Sequence, residues 1–415
     1  MSRHKENVPK LRFPGFTDAW EQRELGDLAE FSKGSGYTKN DLSETGSPIV
    51  LYGRLYTKYE TVINDVDTFV EMKDKSVISE GNEVVVPASG ETAEDISRAS
   101  VIGKPGVILG GDLNVIKPNE QIDPVFLALA ISNGAPNRDM VKRAQGKSVV
   151  HLHNSDLKKI NLVFPQIEEQ RNILEFNLQL EHLITLHQSK LNKLKNLKAG
   201  LLQKILPENG EDFPEVRFPG FTRAWEQRKL GDVIAEAYQG INTASDKVEY
   251  SNDGVEILQS KHITSGQISF DDIRYLDKEK YPNYFPKYVP KIDDILFANI
   301  GTIGPSVVVK TKKEFLVAWN ILKLTLNKNV SSMFIQTSLH KLNNKGHFES
   351  VTTGNATKFV NKDEMLRTPI SLPSVEEQTK IGTLFNQLDQ LITLHQRKLH
   401  HLQEQKKALL KQMFI

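Results

Sequence analysis

A sixteen-residue segment occurs twice in this chain, and that duplication constrains the fold more than any other feature. RFPGFTDAWEQRELGD fills residues 12–27 and RFPGFTRAWEQRKLGD fills residues 217–232, with fourteen of sixteen positions identical at an offset of 205. The repeats of a solenoid recur every ~20–50 residues, so this spacing is too long for one. The sequence therefore predicts a duplicated module, which folds naturally about a pseudo-twofold axis.

A second repeated segment lies near the end of each copy and leads into a long apolar pattern. FPQIEEQ begins at Phe164 and LPSVEEQ begins at Leu372, while LITLHQ begins at Leu183 and again at Leu391, all at an offset of 208. Each copy is thus a near-identical frame around an insert. The inserts themselves share only scattered positions, so the frame and the insert are expected to serve different purposes.

The long apolar pattern predicts one long helix in each copy. Residues 168–206 contain no proline and one glycine, and their apolar residues recur at steps of three and four, as on one face of a helix. The second copy repeats this pattern from Ile381 to the C-terminus. About 40 residues at ~1.5 Å each give a helix on the order of 60 Å long. One apolar stripe on so long a helix predicts an antiparallel coiled coil between the two copies, with His187 and His395 as polar residues that set its register.

The divergent inserts, residues 29–163 and 234–371, are predicted to be mixed α and β. Short β-rich runs at residues 83–87 and 107–109 are separated by glycine, and comparable runs occupy 294–299 and 306–309. Helical patterns follow these strands in both inserts, at residues 124–132 and 331–342. Each insert is therefore expected to be an α+β domain with a small curved sheet.

The composition and the motifs leave no basis for catalysis in this chain. It has no cysteine, which excludes disulfides, thiolate metal sites and a cysteine nucleophile and fits a cytoplasmic protein. No apolar run approaches the ~18 residues of a membrane helix, and no secretory signal is apparent. P-loop, nuclease, methyltransferase and metal-ligand patterns are absent or too weak to support a site. We therefore expect no catalytic residue, metal or cofactor in this chain.

Polar and aromatic residues cluster in the predicted turns of both inserts and are candidates for contacts to DNA. Arginine, lysine, glutamine and asparagine pair with base edges in the major groove, and basic or hydroxyl groups hold phosphates. The net charge is only +1, so binding is expected to depend on local patches or on partner subunits. The candidates are Tyr52, Arg54, Tyr56, Lys58, Tyr59, Ser89, Thr92, Lys147 and His151 in the first insert, and Gln259, Lys261, His262, Asn299, Thr302 and Lys358 in the second.

The ordered set of motifs resembles the specificity subunits of type I restriction–modification systems over essentially the whole chain. WEQRELGD from Trp20 and its copy from Trp225 resemble the segment that opens a target-recognition domain in that family. The EEQ motifs that lead into the long helices resemble its central and distal repeat regions. The resemblance implies two mixed α/β target-recognition domains, residues 1–163 and 211–371, joined by two long antiparallel coiled-coil helices, residues 164–210 and 372–415.

The resemblance also implies partners and a division of labour. Each target-recognition domain would read one half of a bipartite site in double-stranded DNA, and the helices would fix the spacer between the halves. Two methyltransferase subunits would methylate one adenine in each half-site, and two restriction and motor subunits would cleave unmodified DNA. S-adenosylmethionine, ATP and Mg²⁺ would be used by those partners, and no membrane is involved.

Three alternatives remain open on the sequence alone. A duplicated coiled-coil scaffold would bind no DNA even with partner subunits. A stand-alone DNA-binding regulator would bind specifically by itself, which the near-neutral charge disfavours. A fragment of a fused restriction enzyme is disfavoured because no catalytic motif is present.

Overall fold

The computed structural model describes residues 7–146, 149–208, 210–264, 266–354 and 357–415. The chain forms two compact units, of which the first comprises the chain up to Leu186 together with Lys398–Ile415 and the second comprises His187–Arg397. Both long helices contribute a segment to each unit, because the unit boundaries fall within them. The four-segment division drawn from the sequence stays a prediction.

The first unit combines short strands with small helices, as predicted. A sheet in the order β2-β11-β7-β9-β5 lies at its centre, and a second sheet has the order β10-β4-β6-β3. Its strands are β1 Glu21–Glu24, β2 Ala29–Lys33, β3 Leu42–Ser43, β4 Ser47–Val50, β5 Val62–Ile63, β6 Phe69–Val70, β7 Val84–Pro87, β8 Ser89–Gly90, β9 Ser100–Ile102, β10 Ile108–Leu109, β11 Leu113–Pro118, β12 Val150–His151 and β13 Asn161–Phe164. Its helices are α1 Arg54–Thr57, α2 Ala93–Ile96, α3 Pro124–Asn133, α4 Ala135–Arg143, α5 Asn154–Leu157, the first part of α6 Ile167–Ile205 and the last part of α10 Val375–Met413.

The second unit repeats this plan with different details. Its sheets have the orders β15-β21-β18-β19 and β17-β16-β20. The strands are β14 Glu226–Lys229, β15 Ile234–Gln239, β16 Val255–Leu258, β17 Arg274–Leu276, β18 Ile295–Ala298, β19 Ser306–Val308, β20 Leu316–Val317, β21 Ile321–Leu326 and β22 Pro369–Leu372. The helices are α7 Ser332–Asn344, α8 His347–Ser350, α9 Lys362–Arg367, the first part of α10 and the last part of α6. In the part of the chain that the structure describes, no helix is both long enough and apolar enough to cross a membrane.

The two segments of the repeated frame lie far apart in sequence but pair with each other in space. Strand β1 runs antiparallel to β13 with Glu21 opposite Phe164, and β14 runs antiparallel to β22 with Glu226 opposite Leu372. The tryptophan before each first strand is buried in the core of its unit. The near-identity of the frames therefore reflects the same internal packing in both units.

A buried ion pair ties the start of each frame to the start of each long helix. Arg12 donates two hydrogen bonds to Glu169, at 2.7 and 2.8 Å, and Arg217 donates two to Glu377 at the same distances. The bond to the carboxylate raises the pKa of both arginines. Bidentate geometry of this kind is the strongest form of charge-assisted hydrogen bond.

The glutamine of each EEQ motif connects the long helix to a core helix. The Gln170 side chain donates to the Pro165 carbonyl at 2.8 Å and accepts from the Asp123 backbone at 2.9 Å, just before α3. Gln378 makes the corresponding bonds to Pro373 and Ser331, just before α7. Each repeated glutamine thus connects the start of its long helix to the residue that precedes a core helix, whose backbone N–H has no partner within that helix.

The two long helices run antiparallel, as the sequence predicts. In the second unit Lys198 of α6 forms an ion pair with Asp389 of α10 at 2.5 Å, and the Nδ1 atoms of His187 and His395 lie 2.8 Å apart. In the first unit Lys406 of α10 pairs with Glu181 of α6 at 2.7 Å. Partner numbers rise on one helix as they fall on the other, which is the signature of an antiparallel pair. The two histidines occupy the same repeat position on facing helices.

Candidate nucleic-acid interface

Three neighbouring strands of the second unit begin or end at the same end of its sheet. Strand β15 ends at Gln239, which faces Leu322 near the start of β21, and β18 ends at Ala298, which faces Ile321. The loops that follow or precede these strands are therefore neighbours. Loops gathered at one end of a rigid sheet are where binding residues are usually carried.

In the first unit the equivalent strands also begin or end at one end of the sheet. Strand β2 ends at Lys33 opposite Asn114, and β7 ends at Pro87 opposite Leu113, the first residue of β11. We call this end of the sheet, with its loops, the strand-end surface of each unit. It comprises residues 33–36, 87–90 and 110–113 in the first unit and residues 239–242, 298–302 and 318–321 in the second.

A glycine in each unit permits the close approach that forms this surface. A Cβ atom on Gly34 would overlap the Gly110 carbonyl oxygen, and a Cβ atom on Gly240 would overlap that of Ala318. Only glycine lets two backbones come so near. The backbone bridges Ser35–Gly110 and Ile241–Ala318 follow directly after these glycines. The two surfaces therefore share one backbone design.

The candidates of the second insert divide into exposed and internally engaged side chains. Thr302 and Lys358 are exposed and are linked by the bond from the Gly301 N–H to the Lys358 carbonyl at 3.1 Å. Asn299 is only 1% exposed, and its amide is held by Gln239 and by the Val360 carbonyl. Asn299 and Thr302 therefore lie within the strand-end surface, and Lys358 lies next to it.

The other three candidates of the second insert lie in or directly before the short 3₁₀ helix Ser260–His262, which follows β16. His262 is buried, and burial lowers its pKa. Its Nδ1 accepts the backbone N–H of Gln259 at 2.9 Å. Lys261 is exposed but forms an ion pair with Asp272 at 2.5 Å, and this bond lowers the pKa of the Asp272 carboxyl. The sequence identifies His262 as a candidate, but its burial results from tertiary packing and is not apparent from the sequence.

Ser89 belongs to the strand-end surface of the first unit, and Thr92 and His151 lie close to it in the chain or across a strand pair. Ser89 is buried and lies opposite the exposed His151 in the β8–β12 pair. Thr92 starts α2, where its hydroxyl accepts the Asp95 N–H at 3.1 Å. Thr92 therefore has a structural role as a helix cap. Lys147 lies outside the described residues.

The aromatic and basic candidates near α1 are more heterogeneous. The rings of Tyr52 and Tyr56 lie 6.2 Å apart, and burial raises the pKa of Tyr56. The Tyr59 hydroxyl donates to Ser132 on α3 at 3.3 Å, which places Tyr59 against a core helix. Arg54 and Lys58 are both bound to carboxylates.

Arg54 and Lys58 share an acidic partner. Arg54 bonds to Glu60 and Asp67, both at 2.7 Å, and only 9% of its side chain is exposed. Lys58 bonds to Asp67 at 2.9 Å, and this bond is the main reason that the pKa of Asp67 falls to about 2. Contact of Arg54 with a phosphate would require breaking two ion pairs. Its present geometry favours a role in holding the loop.

Sequence reasoning missed three side chains on the strand-end surface of the second unit. They are Gln239, Trp319 and Asn320. Trp319 is 37% exposed, whereas Trp20 and Trp225 are 3% and 2% exposed. Comparing the copies at the offset of 208 places Trp319 opposite Gly111, and that difference is the signal that could have identified it.

A model of one protein family matches both copies of the module. The family is described as the type I restriction modification DNA specificity domain, and the match covers residues 17–196 and 222–404. The chain belongs to this family. As a type I specificity subunit it is a DNA-recognition component and carries no catalytic function.

Similar proteins cover nearly the full length of this specificity subunit. The type I restriction enzyme MjaVIII specificity subunit of Methanocaldococcus jannaschii is 21% identical, covering 98% of this chain and 94% of that protein. The putative MjaX specificity subunit of the same organism is 22% identical, with coverage of 98% and 95%.

Solved structures show the same fold. The S subunit of a type I system from M. genitalium has a TM-score of 0.64 at 15% identity and covers 98% of this chain and 99% of its own. A chain from a study of complex assembly and conformational transition in a type I system has a TM-score of 0.55 at 17% identity, with coverage of 95% and 97%. The expected architecture of mixed α/β domains with long helices is thereby confirmed.

Proposed function

We propose that this specificity subunit reads a bipartite, asymmetric DNA site, with each unit contacting one half. The observation that carries this proposal is the pair of strand-end surfaces. Their backbones follow one design, whereas their side chains differ, as expected when one scaffold serves two different base sequences. Phosphate contacts position such a scaffold, and side chains at the base edges specify the sequence.

The proposal includes partner subunits, because the chain has neither the charge nor the chemistry to act alone. Two methyltransferase subunits using S-adenosylmethionine would modify one adenine N6 in each half-site, after flipping the base out of the duplex. Two restriction and motor subunits would use ATP and Mg²⁺. The net charge of +1 supports a shared grip on DNA, since phosphate binding normally requires an excess of lysine and arginine. The complex would act in the cytoplasm.

Methylation mapping tests the proposed function directly. The chain is expressed with its cognate methyltransferase subunit in a host that lacks adenine methylation, and modified adenines are located by long-read sequencing. One split motif, with one modified adenine in each half on opposite strands, is the expected result. An assembled complex that leaves the DNA unmodified would favour the scaffold alternative. Specific binding by the chain without partners would favour a stand-alone regulator.

The proposed spacer role of the helices predicts that their length sets the distance between half-sites. Leu202 and Ile205 pack in the core of the second unit, so an insertion just before them, the position suggested by the sequence, would disturb that core. Four helical residues are better added between Leu186 and His187, with four more between Arg397 and Lys398. At ~1.5 Å per residue and ~3.4 Å per base pair, the spacer should lengthen by about two base pairs.

An insertion in only one helix is the matched control for this prediction. It would shift α6 against α10 and separate His187 from His395, so we expect impaired assembly instead of a longer spacer. Methylation mapping of both variants gives the spacer directly. An active doubly extended complex with an unchanged spacer would contradict the proposed role of the helices.

A further inference from the structure

Trp319 differs from the other tryptophans of the chain in its surroundings. Trp20 and Trp225 are buried members of the two cores, and each meets a phenylalanine edge-on at 6.0 and 5.7 Å. Trp319 instead lies in the short loop between β20 and β21 and is 37% exposed. Trp319 is the most exposed of the three tryptophans, and it lies at the surface where the strands of the second unit end.

The backbone of Trp319 is held firmly. Its N–H donates to the Ile241 carbonyl at 2.8 Å, and the N–H of Ile321 closes a turn onto Ala318 at 2.9 Å. The Trp319 carbonyl accepts from the Gln239 side chain. The loop therefore has little freedom to lose when it meets a ligand, which favours tight contact.

The amide groups around Trp319 are engaged with each other. Gln239 and Asn299 exchange two hydrogen bonds of 3.0 Å, and Asn299 also donates to the Val360 carbonyl. Asn320 donates to the Ser260 hydroxyl at 3.0 Å and accepts the Ser260 N–H at 3.2 Å. These hydrogen bonds hold the loop that carries Trp319. The indole is the large group at this point that remains open to solvent.

The first unit places its aromatic side chain at a different position of the same design. Strand pairs β4–β10 and β16–β20 correspond at an offset of 208, since Val50 faces Leu109 and Leu258 faces Val317. At that offset Trp319 corresponds to Gly111, and Ser260 corresponds to Tyr52. The second unit therefore carries an aromatic ring on the loop that precedes β21, whereas the first unit carries one on the loop that follows β4, as different base sequences would require.

We propose that Trp319 contacts the bases of the half-site read by the second unit, with its indole packed against a base or a base step. This inference rests on the proposed function. Apolar and aromatic side chains inserted at base steps are a recurrent means of binding and bending DNA, and a ring on a base face provides affinity without a hydrogen bond. The amides of Gln239, Asn299 and Asn320 hold the backbone of the loop, and the proposal assigns them no contact with bases.

The affinity of the assembled methyltransferase complex tests this contact. Trp319→Ala should weaken binding to the cognate duplex by about 5- to 100-fold, and Trp319→Phe should retain most of the affinity. Changes to base pairs in the second half-site should then discriminate less than before, while changes in the first half-site keep their full effect. Ile292→Ala is the matched control, because Ile292 is 48% exposed in the same unit but precedes β18, whose other end leads to Asn299.

A spectroscopic measurement on the otherwise unaltered chain keeps the test independent of folding defects. 5-Hydroxytryptophan is incorporated into this chain alone, and its emission is followed in the complex. Cognate DNA should change the emission of the parent chain but not that of Trp319→Phe, in which only the two buried positions are labelled. A response to the methyltransferase subunit with none to DNA would overturn the proposal in favour of a protein contact. Unchanged affinity in Trp319→Ala would also overturn it.

These results distinguish a failure of the Trp319 contact from a failure of the proposed function. A parent complex that binds its mapped site while Trp319→Ala behaves like Ile292→Ala would reject the Trp319 contact and leave the proposed function intact. A parent complex with no site-specific binding would reject both.

Discussion

Replacing Glu377 by glutamine should lower the free energy of unfolding of the second unit by about 3 kcal/mol. The change is nearly isosteric, but it removes the charge that balances Arg217. The Glu377 side chain is 1% exposed and that of Arg217 is 15% exposed, so water cannot replace the lost carboxylate well. Loss of one partner of a buried pair leaves an uncompensated charge, which costs ~3–5 kcal/mol. We expect a cost at the low end of this range because Arg217 keeps its hydrogen bond to the Arg223 carbonyl.

The neighbouring glutamate supplies the control for this prediction. Glu376 is 73% exposed and pairs with Lys380 at 3.4 Å, so Glu376→Gln should change stability by less than about 1 kcal/mol. Denaturant unfolding, with hydrogen exchange of the β14 and β22 amides to assign the second unit, measures both variants. The repeat offers a second test, because Glu169→Gln should weaken the first unit while Glu168→Gln does not. Equal stabilities of Glu377→Gln and Glu376→Gln would contradict a structural role for the pair.

Exchange of the first insert for that of another specificity subunit should change one half-site completely and leave the other intact. The sequence suggests replacing residues 29–163. The structure moves the downstream boundary to residue 160, so that β1 and β13 both remain from the recipient and keep their register. Each mismatched base pair costs ~1–3 kcal/mol, so a half-site of several base pairs is expected to lose all detectable modification. Methylation mapping measures the new site.

The second insert provides the reciprocal control. Replacing residues 234–368 leaves β14 and β22 in place and should change the other half-site alone. A third chain, with both inserts exchanged, should combine the two changes. If either single exchange altered both halves, the assignment of one half-site to each unit would be wrong.

The long helices show how much a local pattern can determine. A helix predicted from residue 168 to 206 is observed at Ile167–Ile205, and the apolar steps that predicted it belong to one continuous segment. Strand β7 and helices α3 and α7 also lie where their local patterns predict them. Such features depend on residues that are near each other in sequence, which is why one sequence suffices.

The exposure of the candidate site residues, in contrast, could not be predicted from a local pattern. Asn299 and Thr302 are three positions apart and both polar, yet one is buried in an amide network and the other is exposed. Their difference depends on Gln239 and Val360, each about 60 residues away. The role of each candidate in binding DNA stays a prediction, but the structure separates those that can reach a ligand from those engaged within the protein.

The sequence by itself determined the duplication, the helical frame with its divergent inserts, and the family to which the chain belongs. The duplication and the helical frame follow from identity between the copies and from periodicity, whereas the family follows from the resemblance of the motifs, and all three can be read along the chain. Only the tertiary structure decided that the repeated Arg, Glu and Gln residues hold each unit together, and that Trp319 is exposed where the strands end. Exposure and pairing depend on segments brought together by folding, and no local pattern records which distant backbone or carboxylate a side chain will meet.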